Sequence, residues 1–119
     1  FSSSEIIFYK NLNMSGNSFL NQPDIKLNEN VRDTDVKALE KINAIEHKQF
    51  DWKETGSHQA IGYVAQQIQE IIPELVHEGE DGVLSIKQLE IIPYLSKAIQ
   101  ELSARIDELE RKVNADGNQ

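Results

Sequence analysis

Residues 92–113, IPYLSKAIQELSARIDELERKV, decide the fold of this chain of 119 residues. Large apolar side chains recur in this stretch at alternating spacings of three and four residues, and we call them the seam: Ile92, Leu95, Ile99, Leu102, Ile106, Leu109 and Val113. This is a heptad repeat with Ile or Val at each a position and Leu at each d position. The intervening residues are mostly polar or charged. The pattern therefore predicts a helix with one narrow apolar stripe, which needs another copy of itself to be covered.

Charged residues on the same helix add to this pattern. Three acid–base pairs lie four residues apart with the acid first: Glu101–Arg105, Asp107–Arg111 and Glu108–Lys112. Pairs in this order stabilise a single helix. Arg105 occupies a g position and Glu110 the e position of the next heptad, where they can pair between parallel neighbours. We interpret the helix as a self-associating coiled coil; the alternative is an amphipathic helix that packs on its own globular domain.

The composition narrows the choice of partner. The formal net charge of −8 argues against nucleic acid and anionic membranes as partners. The chain has no cysteine, which excludes disulfides and thiolate metal sites. No apolar run reaches the roughly 20 residues of a membrane span, and no signal-peptide pattern is present. The chain begins with Phe1 rather than Met, so we expect it to be part of a longer protein.

Residues 1–22 have the character of short extended segments. The run IIFY at 6–9 favours a strand, and Ser15-Gly16-Asn17 is a turn signal before Phe19 and Leu20. Two short strands do not make a stable unit in water. We therefore interpret this part as the end of an upstream β stalk; the alternative is a disordered linker.

The segment that follows, residues 23–90, reads as a small globular domain. Residues 23–31 have no clear period and are expected to form a loop. Asp33 or Thr34 can cap a helix that runs to about Glu46 and presents Val36, Leu39 and Ile42 on one face. A strand at 49–53, a turn at Gly56 and a strand at 60–64 predict a hairpin.

The rest of this domain is predicted to consist of short elements. A helix over 65–72 is stopped by Pro73, and the acidic turn at 78–82 precedes a small strand at Val83 and Leu84. Ser85 and Gln88 form a capping box that opens the last helix, in which Pro93 predicts a kink. The whole pattern predicts an α+β fold.

Other residues that could form a site favour structural roles. His47, His58 and His77 are scattered without metal-ligand spacing, so we expect surface histidines, no metal and no cofactor. The acidic turn lacks the calcium-loop pattern. Phe50, Trp52 and Tyr63 could form a sugar or base platform, but their context predicts the core of the small domain. Gly62 within a strand predicts a bulge or a close backbone approach.

Several blocks of the sequence, in order, resemble the C-terminal intramolecular chaperone domain of phage tail spikes, tail fibres and neck appendages, also known as the S74 peptidase domain. The resemblance covers roughly residues 19–113 and is carried by DIKL (24–27), ENV (29–31), ALEKI (38–42), FDWK (50–53), IGYVAQ (61–66), IPELV (72–76), IPYL (92–95) and EL (101–102). It implies a homotrimer at the end of an interwound β stalk, in a virion appendage made in the host cytoplasm. It also implies self-cleavage before the Asp of a Ser-Asp-x-x-x-Lys motif.

This sequence departs from that motif at both reactive positions. Pro23 stands where the resemblance expects the nucleophilic Ser, and Asn28 stands where it expects the Lys. Proline carries no nucleophile and asparagine is no base. Lys26 occupies the family's usual Arg/Lys position and is not the paired lysine. We therefore predict that the junction between Pro23 and Asp24 is not cleaved, and we leave enzymatic activity open. The nearby hydroxyls and amine lie at other spacings: Ser18, Thr34 and Lys37.

These observations together predict a small trimeric α+β domain with four parts: a β-stalk end (1–22), a globular chaperone domain (23–90), a coiled coil (91–113) and a disordered tail (114–119). Its partners would be two further copies and its own upstream β stalk. The expected function is an intramolecular chaperone that trimerises and registers a β-helical fibre or spike. The alternatives are an active self-releasing peptidase and a plain trimerisation tip. Ile at a with Leu at d favours two strands, whereas the resemblance implies three, and we expect three.

Overall fold

The computed structural model describes residues 21–117. The strands expected at 6–9 and 19–20, and the last two residues of the expected tail, lie outside this range. The chain divides after Asp35 into two compact units. Residues 23–35, which the sequence analysis assigned to the globular domain, belong to the first of these units.

The described part of the first unit, residues 21–35, is exposed throughout. It is a loop, as expected for residues 23–31, interrupted by one 3-10 turn at Ile25–Leu27. Asn30 has a φ of 55°, a left-handed conformation that asparagine tolerates better than most residues.

The second unit combines short helices with two small sheets, which confirms the predicted α+β class. Its regular elements are α1 (Ala38–Ala44), β1 (Lys48–Asp51), β2 (His58–Gly62), α2 (Ala65–Ile71), β3 (Val76–Glu78), β4 (Leu84–Ile86) and α3 (Ile92–Gly117), with 3-10 turns at Pro73–Leu75 and Gln88–Ile91. Strands β1 and β2 form one antiparallel sheet, and β3 and β4 form another. Within residues 21–117 no helix is long and apolar enough to cross a bilayer.

The β1–β2 hairpin has the turn and the irregularity that the sequence predicts. Gly56 lies in the turn with a φ of 69°. The register shifts between the pairs Lys48–Gly62 and Phe50–Gln59, so β2 carries one extra residue there. A Cβ on Gly62 would lie 3.1 Å from Cε1 of Phe50. Both readings of Gly62, a bulge and a close approach, are confirmed.

The larger core of the second unit is formed around α2 by the 3-10 turns that follow α2 and precede α3, and by the residue after α1. Its buried residues are Ile45, Ile68, Ile72, Leu75 and Ile91. Helix α2 ends before Pro73, as expected. The small strand predicted at Val83 and Leu84 is present as β4, which spans Leu84–Ile86. Its partner β3 was not predicted from the sequence.

The single tryptophan is not part of this core, so that prediction is wrong. The Trp52 side chain is 52% exposed. It packs edge-on against Phe50 with ring centroids 5.1 Å apart, and its Nε1 donates to Oε1 of Gln59 at 3.2 Å. Among residues 21–117 the hairpin is a sheet of two strands, and Trp52 stays largely open to solvent. Phe50 and Tyr63 are half-buried, and Tyr63 packs against the core as expected.

The start of the last helix also differs from the prediction. Ser85 lies within β4, and the 3-10 turn that precedes α3 has no side-chain cap, so the Ser85–Gln88 capping box is wrong. Pro93 is the second residue of α3, where a backbone N–H has no partner inside the helix and proline is tolerated. The expected kink at Pro93 is therefore not a break within α3. Instead, the chain changes from a 3-10 turn to an α-helix at Ile92. The helix continues past Val113 to Gly117.

Helix α1 begins later than predicted because its cap comes from another helix. It starts at Ala38, and neither Asp33 nor Thr34 is its N-cap residue. The backbone N–H of Leu39 instead donates to Oε2 of Glu101 at 2.8 Å. Nζ of Lys97 lies 3.5 Å from the other oxygen of Glu101 and donates to the carbonyl of Val36. These contacts join the first turn of α1 to α3.

The hydrogen bond from Leu39 and the nearby Lys97 lower the pKa of the Glu101 carboxyl below its ordinary value of 4.5. A lowered pKa in the folded state means that the charged form stabilises the fold. This contribution is complete above the ordinary pKa and is lost as the pH falls through the folded-state pKa.

Replacing Glu101→Gln is therefore expected to lower the melting temperature at neutral pH, because the amide caps α1 without a charge. The difference from the unchanged chain should persist down to about pH 5 and shrink as the pH falls below 4.5. Thermal unfolding followed by circular dichroism between pH 3 and pH 7 measures this. The control is Glu108→Gln, which removes only an exposed ion pair. A difference that stays constant over the whole pH range would contradict the assignment.

Candidate functional site

The seam predicted from the sequence is uncovered in the structure. All seven of its residues are exposed, from 39% for Leu95 to 67% for Ile99 and Val113. Isolated exposed apolar residues are common, but a regular stripe of them along one helix marks an interaction surface. The alternative in which this stripe packs on its own domain is wrong for the described residues.

A flank of α3 beside the seam is the part that packs within the described chain. Ala98 is buried with Ala38 and Leu39 of α1. Ala98 occupies a g position. Lys97 and Glu101, whose side chains hydrogen-bond to the start of α1, occupy f and c positions. Helix α1 therefore covers one flank of α3 and leaves the a and d positions free.

Beyond Glu101, α3 continues without cover from the rest of the described chain. Residues 102–117 are all exposed. Ile106, Leu109 and Val113 line an open groove together with Glu110 and Asn114. Since isolated helices of this length are marginal in water, the distal part of α3 needs packing from elsewhere.

Of the three ion pairs predicted on α3, the described residues contain one. Nζ of Lys112 lies 3.5 Å from Oε1 of Glu108. The Glu101–Arg105 pair is replaced by contacts of Glu101 with Lys97 and α1. The Asp107–Arg111 pair is also not formed, and nothing in the structure explains this difference.

Tyr94 is a structural residue of α3 that the heptad pattern does not reveal. It packs against both buried clusters of the second unit, and its hydroxyl donates to Oε1 of Glu74 at 2.7 Å. Burial and this hydrogen bond raise the pKa of Tyr94 to about 12, and the same bond lowers the pKa of Glu74. Tyr94 therefore joins α3 to the core. A large aromatic residue outside the a and d positions was the available signal in the sequence.

The junction between Pro23 and Asp24, where the S74 motif would be cleaved, lies on an exposed turn of the first unit. Asp24 caps the 3-10 turn: its side chain accepts from the backbone N–H of Lys26 at 2.9 Å. The Asp24 carbonyl accepts from the N–H of Leu27 at 2.9 Å and from Nδ2 of Asn28 at 2.7 Å. The turn thus brings the side chain of position 28 to the backbone of Asp24, next to the Pro23–Asp24 peptide bond.

The two reactive positions of the motif lack reactive groups. Asn28 uses its amide to hold the turn, and Pro23 has no hydroxyl. Of the other nearby groups, Ser18 lies outside the described residues. Thr34 is an exposed residue of the first unit, and Lys37 precedes α1 in the second.

The three histidines are exposed. Nδ1 of His58 lies 2.7 Å from Oδ1 of Asp51, and the rings of His47 and Tyr63 are 5.7 Å apart. In the acidic turn, Oδ1 of Asp81 accepts from the N–H of Val83. In residues 21–117 no group of three or more His, Asp or Glu residues could hold a metal ion.

Known proteins similar to this chain agree with the resemblance seen in the sequence. Residues 23–77 match the family model Peptidase_S74, described as the chaperone of endosialidase. The chain is 33% identical over 121 residues to the long tail fiber protein Gp37 of Enterobacteria phage K3 and equally to that of Enterobacteria phage T2. The alignments cover 95% of this chain but 10% and 9% of those proteins, so the chain spans about a tenth of the length of these relatives.

The matched range begins at Pro23, the residue before the junction, and ends within β3, so that α3 follows it. Over residues 23–77 the chain is therefore similar to the peptidase S74 family, the chaperones of endosialidase.

Proposed function

We propose that this chain is a folding and assembly module that joins three copies through the seam and aligns the β segments preceding residue 23. The observation that carries the proposal is the seam itself, which is regularly spaced and exposed on a helix whose other flank is packed. The chaperone family supports a role in folding. The relatives named as long tail fibre proteins support a place in a virion fibre. We further propose that this fibre is made in the host cytoplasm.

The order of folding events explains why such a module would help a fibre. A stalk of interwound β chains depends on contacts between distant or separate segments, so it forms slowly and can pair out of register. A coiled coil forms from local contacts and its seam sets the register. Three copies joined at α3 would hold the preceding segments at an effective concentration on the order of millimolar.

The number of copies rests on the family rather than on the heptads. The choice of Ile at a and Leu at d favours two strands. The S74 resemblance implies three, and contacts made by the globular part and the stalk add to that choice. Sedimentation equilibrium of the chain distinguishes the two states by mass.

We also propose that this form does not cleave itself. The support is chemical: Pro23 and Asn28 supply neither a nucleophile nor a base, and the amide of Asn28 is engaged with the Asp24 carbonyl. The module would then remain attached to what precedes it. An active self-processing peptidase would have to recruit other groups.

Placing charges in the seam should abolish assembly. In Ile99→Asp with Ile106→Asp, a carboxylate replaces an apolar layer in two heptads, and burying unpaired charges is costly. The chain is expected to sediment as a monomer, and a longer chain that carries the stalk should fail to yield stalk trimers. The matched control is Gln100→Asp with Ala104→Asp, which adds two Asp to the outer face of the same helix. Normal stalk trimers from the seam variant would contradict the proposal.

A companion experiment distinguishes a chaperone from a plain trimerisation tip. The upstream stalk is refolded with and without residues 24–119, and the yield of trimer is compared. A chaperone predicts a much lower yield without these residues. Equal yields would favour the plain tip.

Mass spectrometry can test whether the Pro23–Asp24 peptide bond stays intact. After long incubation of the purified chain, peptide mass analysis is expected to find no break between Pro23 and Asp24. A break at this bond would establish an active peptidase and overturn the non-cleaving proposal, while leaving the role of the seam untouched.

A further inference from the structure

Arg105 and Glu110 are two oppositely charged residues at the edges of the seam. Both are exposed, and within residues 21–117 neither takes part in an ion pair. Glu110 also borders the open groove formed by the distal seam residues. Arg105 and Glu110 therefore place a free cation and a free anion on either side of an apolar stripe that is uncovered in the described part of the chain.

The freedom of Arg105 follows from the packing of α1. Glu101 lies four residues before Arg105 and would be its natural partner. The carboxylate of Glu101 is instead engaged by the N–H of Leu39 and by Lys97. Docking of α1 thus removes the intrahelical partner of Arg105 and leaves its guanidinium available to another chain.

Coiled-coil geometry determines which residue of another chain it can reach. In a parallel, in-register coil, a g residue faces the e residue of the next heptad on the neighbour, five positions further along. For Arg105 that residue is Glu110. In an antiparallel coil g faces g and e faces e, so these two charges would not meet.

Resting on the self-association proposed above, we infer that Arg105 of each copy pairs with Glu110 of the adjacent copy. This ion pair selects the parallel, in-register arrangement. The methylenes of Arg105 extend over the edge of the seam while the guanidinium meets the carboxylate.

The other residues at e and g positions of α3 do not offer an equivalent ion pair in another register. The earlier e residues, Ser96 and Ser103, carry no charge. The g residue Lys112 could reach Glu110 of a neighbour only after a slip of one heptad, which would uncover one a layer and one d layer of the seam. Its ammonium is also engaged with Glu108. The in-register coil is therefore the one that satisfies Arg105 and Glu110 with the whole seam covered.

Charge reversal tests the pair. Arg105→Glu and Glu110→Arg each place like charges opposite one another at every contact, and each should raise the concentration for half-assembly about tenfold or more at low salt. The double variant, R105E with E110R, restores opposite charges and should recover assembly to within about threefold. The control is Arg111→Glu, the same change of charge at an f position, which should have little effect. At about 1 M salt the differences should largely vanish.

Mixing the two single variants provides a second readout. A two-stranded coil of one R105E chain and one E110R chain has opposite charges at both contacts and should recover fully. In a ring of three chains, at least one contact joins two chains of the same kind, so recovery should be partial. Either recovery supports the ion pair. No recovery at any ratio would overturn it.

The relative orientation of the helices in the coil can be measured by disulfide cross-linking. An introduced cysteine is then unique, because the chain has no cysteine of its own. With Val113→Cys, a parallel, in-register coil places identical a positions close enough for a disulfide upon oxidation, whereas an antiparallel coil separates them. If the double reversal fails to assemble, or if R111E weakens assembly as much as R105E, the ion pair is refuted while self-association stands. If the unchanged chain is monomeric, the proposed function itself fails.

Discussion

The structure depends on the packing of α1 against one flank of α3. Two small residues, Ala38 and Ala98, are buried where the helices meet, which allows them to approach closely. The larger apolar residues of α3 point away from this contact and stay exposed. The chain therefore buries the smaller apolar surface of its longest helix and leaves the larger one in water. Hydrophobic free energy then favours any partner that covers the seam.

Polar contacts hold the first part of α3, up to Glu101, against the rest of the second unit. Tyr94 reaches Glu74 near the core, and Glu101 caps α1. The part after Glu101 has no such contacts within the described residues. A helix segment of this kind is marginal until it packs, so its folding and its association are expected to be coupled. Such coupling would suit the folding and assembly role proposed above.

The junction and the seam lie in different parts of this chain. Residues 23–77 carry the family match, including the turn at Asp24, while the seam lies after it. In this chain the turn brings the side chain of position 28 to the backbone of position 24, where the Asn28 amide donates to the Asp24 carbonyl.

The sequence by itself determined the elements that depend on local periodicity and turn chemistry. The heptads of α3, the hairpin around Gly56 and the end of α2 before Pro73 follow from residues close together in the chain. Only the tertiary structure decided the start of α1, because its cap, Glu101, lies 62 positions from Leu39. The same holds for the strand β3, which required a partner, and for the exposure of Trp52, which depends on which elements pack against the hairpin. Caps, strand pairs and burial are set by residues that meet in space, and no local pattern contains them.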